Sequence, residues 1–411
     1  MSESKNDASS RSEKWLVSRY PGLNVLAALR AYKVPDNLNL WYCFGAVALF
    51  ALCLQLLSGI WLVFFYDPTN AFASVQYIMR EVEYGWLIRY AHTTGASMLF
   101  AVLFVHLLRA MVYGSYRQPR ELVWLFGMVL LLLMMAEAFM GYLLPWGQMS
   151  YWGAKVILTL VESLPWVGNG LLQVLQGGEL LGEAALKRFY VLHILLVPMV
   201  IALLVYLHIG ALHSVGANNP EGRVLMDRAG DSVPRMVAFH PYYTLKDAVA
   251  VVLFLLIFAA IIFYAPMMGG VFIEPANAVA ANPMVTPAHV SPPWYFSPFY
   301  SMLRVVSFPW LGVEARLWGG LTMMFALLML LLLPWLDRSP ERSLRYKGRC
   351  SRVALAIWVI SLIGLGVLGC LPLTEWRIWL ARLAVILYFL CLVLMPWYSR
   401  WGVVREAVDA E

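Results

Sequence analysis

The chain has 411 residues, of which 61% are hydrophobic and only 13% charged, with a formal net charge of +6. That balance excludes an ordinary soluble domain, since apolar runs long enough to cross a bilayer recur along it. The positive charge lies between those runs, so membrane topology accounts for it better than a nucleic-acid partner does.

The polar start MSESKNDASSRSEKW has no cleavable signal pattern and reads as a cytosolic tail within an N-terminal segment 1–40. Eight spanning helices are expected near 41–65, 86–113, 122–144, 187–213, 243–264, 317–336, 352–371 and 377–396. The fold class is therefore an all-α integral membrane protein. A four-helix unit, 41–213, carries an outer loop at 145–186, and a second unit, 214–411, carries one at 265–312. Both loops are rich in Trp, Tyr and Pro, which suits an outer interface. Every second connection is basic: Arg11, Lys14, Arg19, Arg30 and Lys33 precede the first span, and Arg117 and Arg120 follow the second. Arg223, Arg228, Arg235 and Lys246 follow the fourth; Arg338, Arg342, Arg345, Lys347, Arg349 and Arg352 follow the sixth. The positive-inside rule puts these segments and both termini in the cytoplasm. Five cysteines (Cys43, Cys53, Cys350, Cys370, Cys391) show no CxxC or CxxCH spacing, so neither a zinc site nor a c-type haem attachment is encoded.

Four histidines stand inside the second and fourth spans, where an ionisable side chain is costly and marks a functional site. His92 and His106 are fourteen residues apart, a rise of about 21 Å with both rings within roughly 40° of one helix face. His193 and His208 are fifteen apart, and a kink or π-bulge near Pro198 would absorb the extra residue. Both spans run inward, so His92 pairs with His193 at outer depth and His106 with His208 at inner depth. Two such pairs suit two b-type haems, and imidazole on both faces of the iron favours electron transfer over oxygen binding. Gly45 and Gly59 in the first span, and Gly127 and Gly141 in the third, repeat the fourteen-residue spacing and would let backbone approach each macrocycle. Arg89 and Arg109, three residues outside the first histidine pair, suit haem propionates.

The motifs GWLIRYAHTTGASM, AFMGYLLPWGQMSYWGA, NNPEG, HPYYTLKD, PPWYFSPFYSMLR and LPWLDRSPERSLRYKG stand in that order between residues 85 and 348, and the likeness they carry extends from about residue 25 to 400. With them the chain resembles cytochrome b of bacterial ubiquinol–cytochrome c reductase, the cytochrome bc complex. The resemblance implies a low-potential haem on His92 and His193, a high-potential haem on His106 and His208, and Arg188 among the cofactor-contacting residues. It implies oxidation of ubiquinol at an outer site formed by Tyr142, Gly153, Pro292, Trp294, Tyr295 and Tyr300. It also implies reduction of ubiquinone at an inner site formed by His213, Lys246 and Asp247. A Rieske iron–sulfur protein, a cytochrome c1-type subunit, a dimeric complex, membrane lipid and the bacterial inner membrane follow from the same likeness.

Two departures matter. The family's commonest Pro-Glu-Trp-Tyr is here Pro292-Pro293-Trp294-Tyr295, so the carboxylate associated with proton release is missing. Glu137, one turn before Gly141, and Glu162, in the outer loop, are candidates to replace it, with Glu162 preferred because its loop reaches both quinol and water. Cys43, two residues before Gly45, stands where a plastoquinol-oxidising relative holds an additional haem, although a lone thiol in an apolar helix is ordinarily packing. A di-haem membrane anchor of a dehydrogenase, without bifurcation, is the alternative function, and it would lack the PPWY loop and the late helices.

Overall fold

The computed structural model describes residues 15, 18–19, 31–178, 180–222, 235–309 and 311–401. Arg11, Lys14, Arg30, Arg223 and Arg228 of the charge pattern lie outside them, as does most of segment 1–40. A short strand β1 (Lys33–Pro35) precedes the helices. The chain then runs through α1 (Phe44–Val63), α2 (Ala71–Arg80), α3 (Gly85–Tyr113), α4 (Glu121–Leu143), α5 (Gln148–Glu162), α6 (Gly168–Gln176) and α7 (Glu183–Val215). After β2 (Met236–Ala238) come α8 (Tyr242–Tyr264), α9 (Ser297–Val305), α10 (Ala315–Leu331), α11 (Leu333–Leu336), α12 (Arg349–Cys370), α13 (Glu375–Val393) and α14 (Met395–Tyr398).

Seven described helices, α1, α3, α4, α7, α8, α12 and α13, are long and apolar enough to cross a membrane. The eighth expected span is different: α10 has only 17 residues. The cause is Pro334, which has no N–H to give the Leu330 carbonyl. The freed carbonyl instead accepts the indole N–H of Trp124 from α4 at 3.0 Å. The chain continues as the four-residue α11.

α1 packs on α3 and α4 on α7, while α9 lies against α10, α12 and α13. Much of the remaining helix surface is apolar and outward: only 6% of the hydrophobic window of α7 is buried. An uncovered apolar face of that extent is what lipid solvates. The helix ends are set locally. α3 stops at Gly114, whose φ of +64° is a left-handed C-cap and whose missing Cβ lets the Arg342 carbonyl come close.

The basic segments meet at one end of the bundle. β1 pairs antiparallel with β2, Lys33 opposite Ala238. Arg120 donates to the Gly216 carbonyl at 2.9 Å, and Arg345 pairs with Glu221 at 2.9 Å. At the centre is Asp337, buried with Lys347 and Tyr116. Its carboxylate accepts from Lys347, from the Tyr116 hydroxyl at 2.5 Å, and lies 3.2 Å from Arg117. At the opposite end, the one expected to face outward, the two long loops join through a Gly147–Ala280 bridge and a bond from the Ser150 amide to Asn277 Oδ1 at 2.8 Å.

Burial opposes ionisation of Asp337, but Lys347 and Arg117 overcome it and hold the carboxyl below the usual carboxylate range. Asp337→Asn is expected to cost about 3–5 kcal/mol by stranding a buried ammonium, read as a lower unfolding midpoint in detergent. Because the folded carboxyl is the stronger acid, its contribution is complete above about pH 4, the unfolded value. It fades as pH falls through the lower folded value, where wild type and variant converge.

Candidate functional site

α3 and α7 bring His92 and His193 together with ring centroids 6.1 Å apart and planes at 87°. Imidazole–metal bonds of about 2 Å on either side of one ion put two ring centres roughly 6 Å apart. Fifteen-residue spacing on α7 is reconciled by a π-helical turn over Leu192–Leu196, in which the Val197 N–H reaches the Leu192 carbonyl. Pro198 follows and has no N–H for an ordinary helical bond to Ile194. The wide turn takes up one residue. His106 and His208 lie within electrostatic range of each other one depth further in.

The four glycines each clear one of these rings. A Cβ on Gly59 would lie 3.0 Å from His92 Cε1, and on Gly141 2.5 Å from His193 Cε1. At inner depth the distances are 3.3 Å from Gly45 to His106 and 3.2 Å from Gly127 to His208. The expected clearance for a macrocycle is thus narrowed: the missing side chains make room for the imidazoles themselves.

Ring orientation follows from hydrogen bonding. Ser58 Oγ gives its proton to the Leu54 carbonyl at 2.6 Å and stands 3.0 Å from His92 Nδ1, so it accepts the ring N–H. His193 Nδ1 is 3.0 Å from the Glu137 carbonyl and 2.9 Å from Glu137 Oε1, both acceptors. His208 is near the Val123 carbonyl, but its Nδ1 is buried without a hydrogen-bond partner among the described residues. In the outer pair, a proton fixed on Nδ1 leaves the Nε2 lone pair free for a metal. The Arg109 Nε is buried without a partner, its guanidinium 4.6 Å over the Tyr42 ring and 3.5 Å from His106 Nδ1. Arg89 donates to Thr93 at 3.3 Å and makes no ion pair with an acid among the described residues. Two paired imidazoles with free Nε2 atoms, and guanidiniums lacking acids, fit a haem with anionic side chains.

The outer pair opens into a cavity of about 250 Å³ lined by His92, His193, Gly59, Gly141, Arg89 and Glu137 together with Tyr142, Pro293 and Tyr295. Tyr295 stacks on Phe100, centroids 4.1 Å apart and planes within 5°, and burial pushes its phenol up. Gly153 faces Tyr142: a Cβ there would lie 3.9 Å from Tyr142 Cε1. Phe100, Phe272 and Asn277 line the same space and were not singled out from the sequence; aromatic residues in apolar runs read as packing. Glu274, whose charge reaches Tyr142, was also missed.

Other expected residues lie elsewhere. Trp294 packs on Phe104 and Phe272, and its Nε1 is buried without a partner. The Tyr300 hydroxyl donates to the Val290 carbonyl at 2.9 Å, and Pro292 and Tyr300 do not line the cavity. Glu162 is exposed at the end of α5, outside the cavity, whereas Glu137 lines it. Arg188 is exposed and donates to the Val174 and Gln173 carbonyls, capping α6, whose C-terminal carbonyls attract a cation. At the inner end, exposed His213 stacks 4.7 Å from Tyr32. Lys246 donates to the Leu38 carbonyl at 3.2 Å, and Asp247 lies beside the buried Cys43 thiol.

The Cytochrome b/b6/petB family matches residues 29–216, and the Cytochrome b(C-terminal)/b6/petD family matches residues 280–389. The chain is 48% identical to a cytochrome b from Allochromatium vinosum over 395 residues, 94% of each. It is 44% identical to one from Rhodospirillum rubrum over 396 residues, 94% of this chain and 93% of that one. Its fold is similar to a chain solved in a hyperthermophilic respiratory Complex III, with TM-score 0.85, 33% identity, and coverage of 94% of this chain and 98% of the other.

The glycine distances predict a graded series. Gly141→Ala should lower occupancy of the outer ligand pair about 10–100-fold, Gly59→Ala less, and Gly127→Ala or Gly45→Ala least. The absorbance of bound haem per protein checks the order.

Proposed function

Because the chain belongs to the cytochrome b family, we propose that it is the haem-bearing, quinol-oxidising membrane subunit of a quinol–cytochrome c oxidoreductase. The observation that carries this reading is the single cavity joining the outer imidazole pair to Tyr142, Pro293 and Tyr295. In this reading His92 and His193 hold one haem b, and His106 and His208 hold a second. When bound, the haems supply one-electron relays at two depths between an outer ubiquinol site and an inner ubiquinone site, contributing to a proton gradient.

The protein's part is orientation, charge and exclusion of water. In the outer pair, Nδ1 acceptors fix the tautomer that presents Nε2. Arg89 and Arg109 neutralise anionic groups on the cofactors. Phe100 and Tyr295 wall the cavity, keeping water from quinol and lowering the local dielectric. Pro293 cannot accept a proton, so the quinol proton goes to Glu137 Oε2, which is buried without a partner at the cavity. His213, Lys246 and Asp247 at the inner end hydrogen-bond quinone carbonyls and relay protons inward. The unit 41–213 carries the haems, and 214–411 completes the quinol site. A Rieske iron–sulfur protein and a cytochrome c1-type subunit complete a dimeric complex in the bacterial inner membrane, with both termini cytoplasmic.

Reduced-minus-oxidised spectra of the purified complex should contain two b-type contributions. Leu at His92 or His193 should remove one, and Leu at His106 or His208 the other. Survival of both in any of the four variants would falsify the ligation scheme. Glu137→Gln should slow quinol oxidation about 100-fold or more, and Glu162→Gln by less than about twofold. The reverse order would hand the role to Glu162, and unchanged rates in both would remove either carboxylate from the reaction.

A further inference from the structure

The residue four positions before each ring-clearing glycine sits one turn away on the same helix face. These residues are Trp41 and Gln55 on the first span, and Val123 and Glu137 on the third. Of the four, Glu137 alone is charged, and its side chain turns onto the ring. Oε1 lies 2.9 Å from His193 Nδ1, with side-chain exposures of 16% and 14%, so little water screens the contact. Gln55 turns its amide away to the Ala91 carbonyl at 3.4 Å, and Val123 offers only its backbone. His92 has a neutral serine hydroxyl at Nδ1, and His106 is approached by the Arg109 guanidinium at 3.5 Å. One of the four imidazoles is therefore treated differently from the rest.

We propose that Glu137, beyond the proton-accepting role of its Oε2, tunes the outer electron carrier through His193: its Oε1 shares the Nδ1 proton of that ring and makes it a stronger donor to iron. This rests on the reading that His193 ligates a haem. A carboxylate behind a ligating histidine raises ligand basicity and favours the more positive metal state. Reduction adds one electron to the iron and breaks no bond, so the added negative charge opposes it. The outer centre is held oxidised more firmly than the inner one, whose rings lack such a partner.

Glu137→Gln keeps the shape and an acceptor oxygen while removing the charge. Glu137→Ala removes both. The Glu137 carbonyl, 3.0 Å from Nδ1, remains in either variant, so the tautomer and the haem are retained. The test is a redox titration of the assembled complex, followed in the two b-type absorbance bands with no quinol turnover. In Glu137→Gln the outer centre's reduced-to-oxidised ratio at fixed ambient potential should rise about tenfold, or 59 mV for one electron, while the inner centre stays put. The low-spin ferric resonance of the outer centre should move as well. Should Glu137→Ala fail to assemble, Glu137→Gln alone decides. Two retained haems with an unmoved outer potential overturn the inference and leave ligation intact, and an equal shift of both centres overturns it too. Absence of any b-type band in unmodified complex overturns the ligation reading instead.

Discussion

An imidazole inside an apolar span must have both nitrogens satisfied, because a buried polar atom without a partner costs about 1–3 kcal/mol. In this chain the carbonyls one turn ahead of the outer ring-clearing glycines take part of that demand, Gln55 for His92 and Glu137 for His193. At inner depth His208 Nδ1 has no hydrogen-bond partner among the described residues, and His106 Nδ1 faces the Arg109 guanidinium. The arrangement works only if four helices hold a common register, since a ring can reach a neighbouring backbone only where that backbone has no Cβ. Glycine and histidine are thus one device repeated at two depths, and the carbonyl joins it at the outer one.

The two ends of the bundle hold that register. At the basic end, Asp337 ties α11 to the turn after α3 and to Lys347 before α12. Trp124 uses the carbonyl that Pro334 frees to join α4 to α10. These contacts bind the later helices to the earlier four. The loop Pro292–Tyr295 then reaches the face of α3, where Tyr295 meets Phe100. The cavity is consequently shared: its imidazoles come from the first four spans and part of its aromatic wall from the loop before α9. A shift between the halves would open the wall without touching a ligand.

The histidine and glycine register was legible because helix period alone fixes which residues share a face, and the odd fifteen-residue spacing flagged the π turn. What sequence left open depended on tertiary neighbours. Arg188 near the head of a span has two kinds of electronegative partner within reach, an anionic cofactor or the carbonyls closing α6, and sequence does not say which lies closer. Glu162 follows an amphipathic stretch that points either way. Phe100 is indistinguishable from packing residues until Tyr295 stacks on it. α10 read as a full span because Pro334 sits inside an unbroken apolar run, where composition outvotes the lost hydrogen bond.

The remaining question is why one device should be built twice with different trim. Around the outer rings stand Gln55, Ser58, Thr93 and Glu137, all polar; around the inner ones stand Val123 and the Arg109 guanidinium. Arg89 near His92 mirrors Arg109 near His106, so the cations largely cancel in the comparison between depths. Glu137 has no inner counterpart. An electron is repelled by a carboxylate, and in a medium of low polarity that repulsion carries over several ångströms. Under the proposed ligation, a carboxylate behind His193 makes that position the less comfortable of two otherwise matched resting places. On that proposal a scaffold with near-symmetric ligands acquires a preferred direction, away from the cavity, from one side chain.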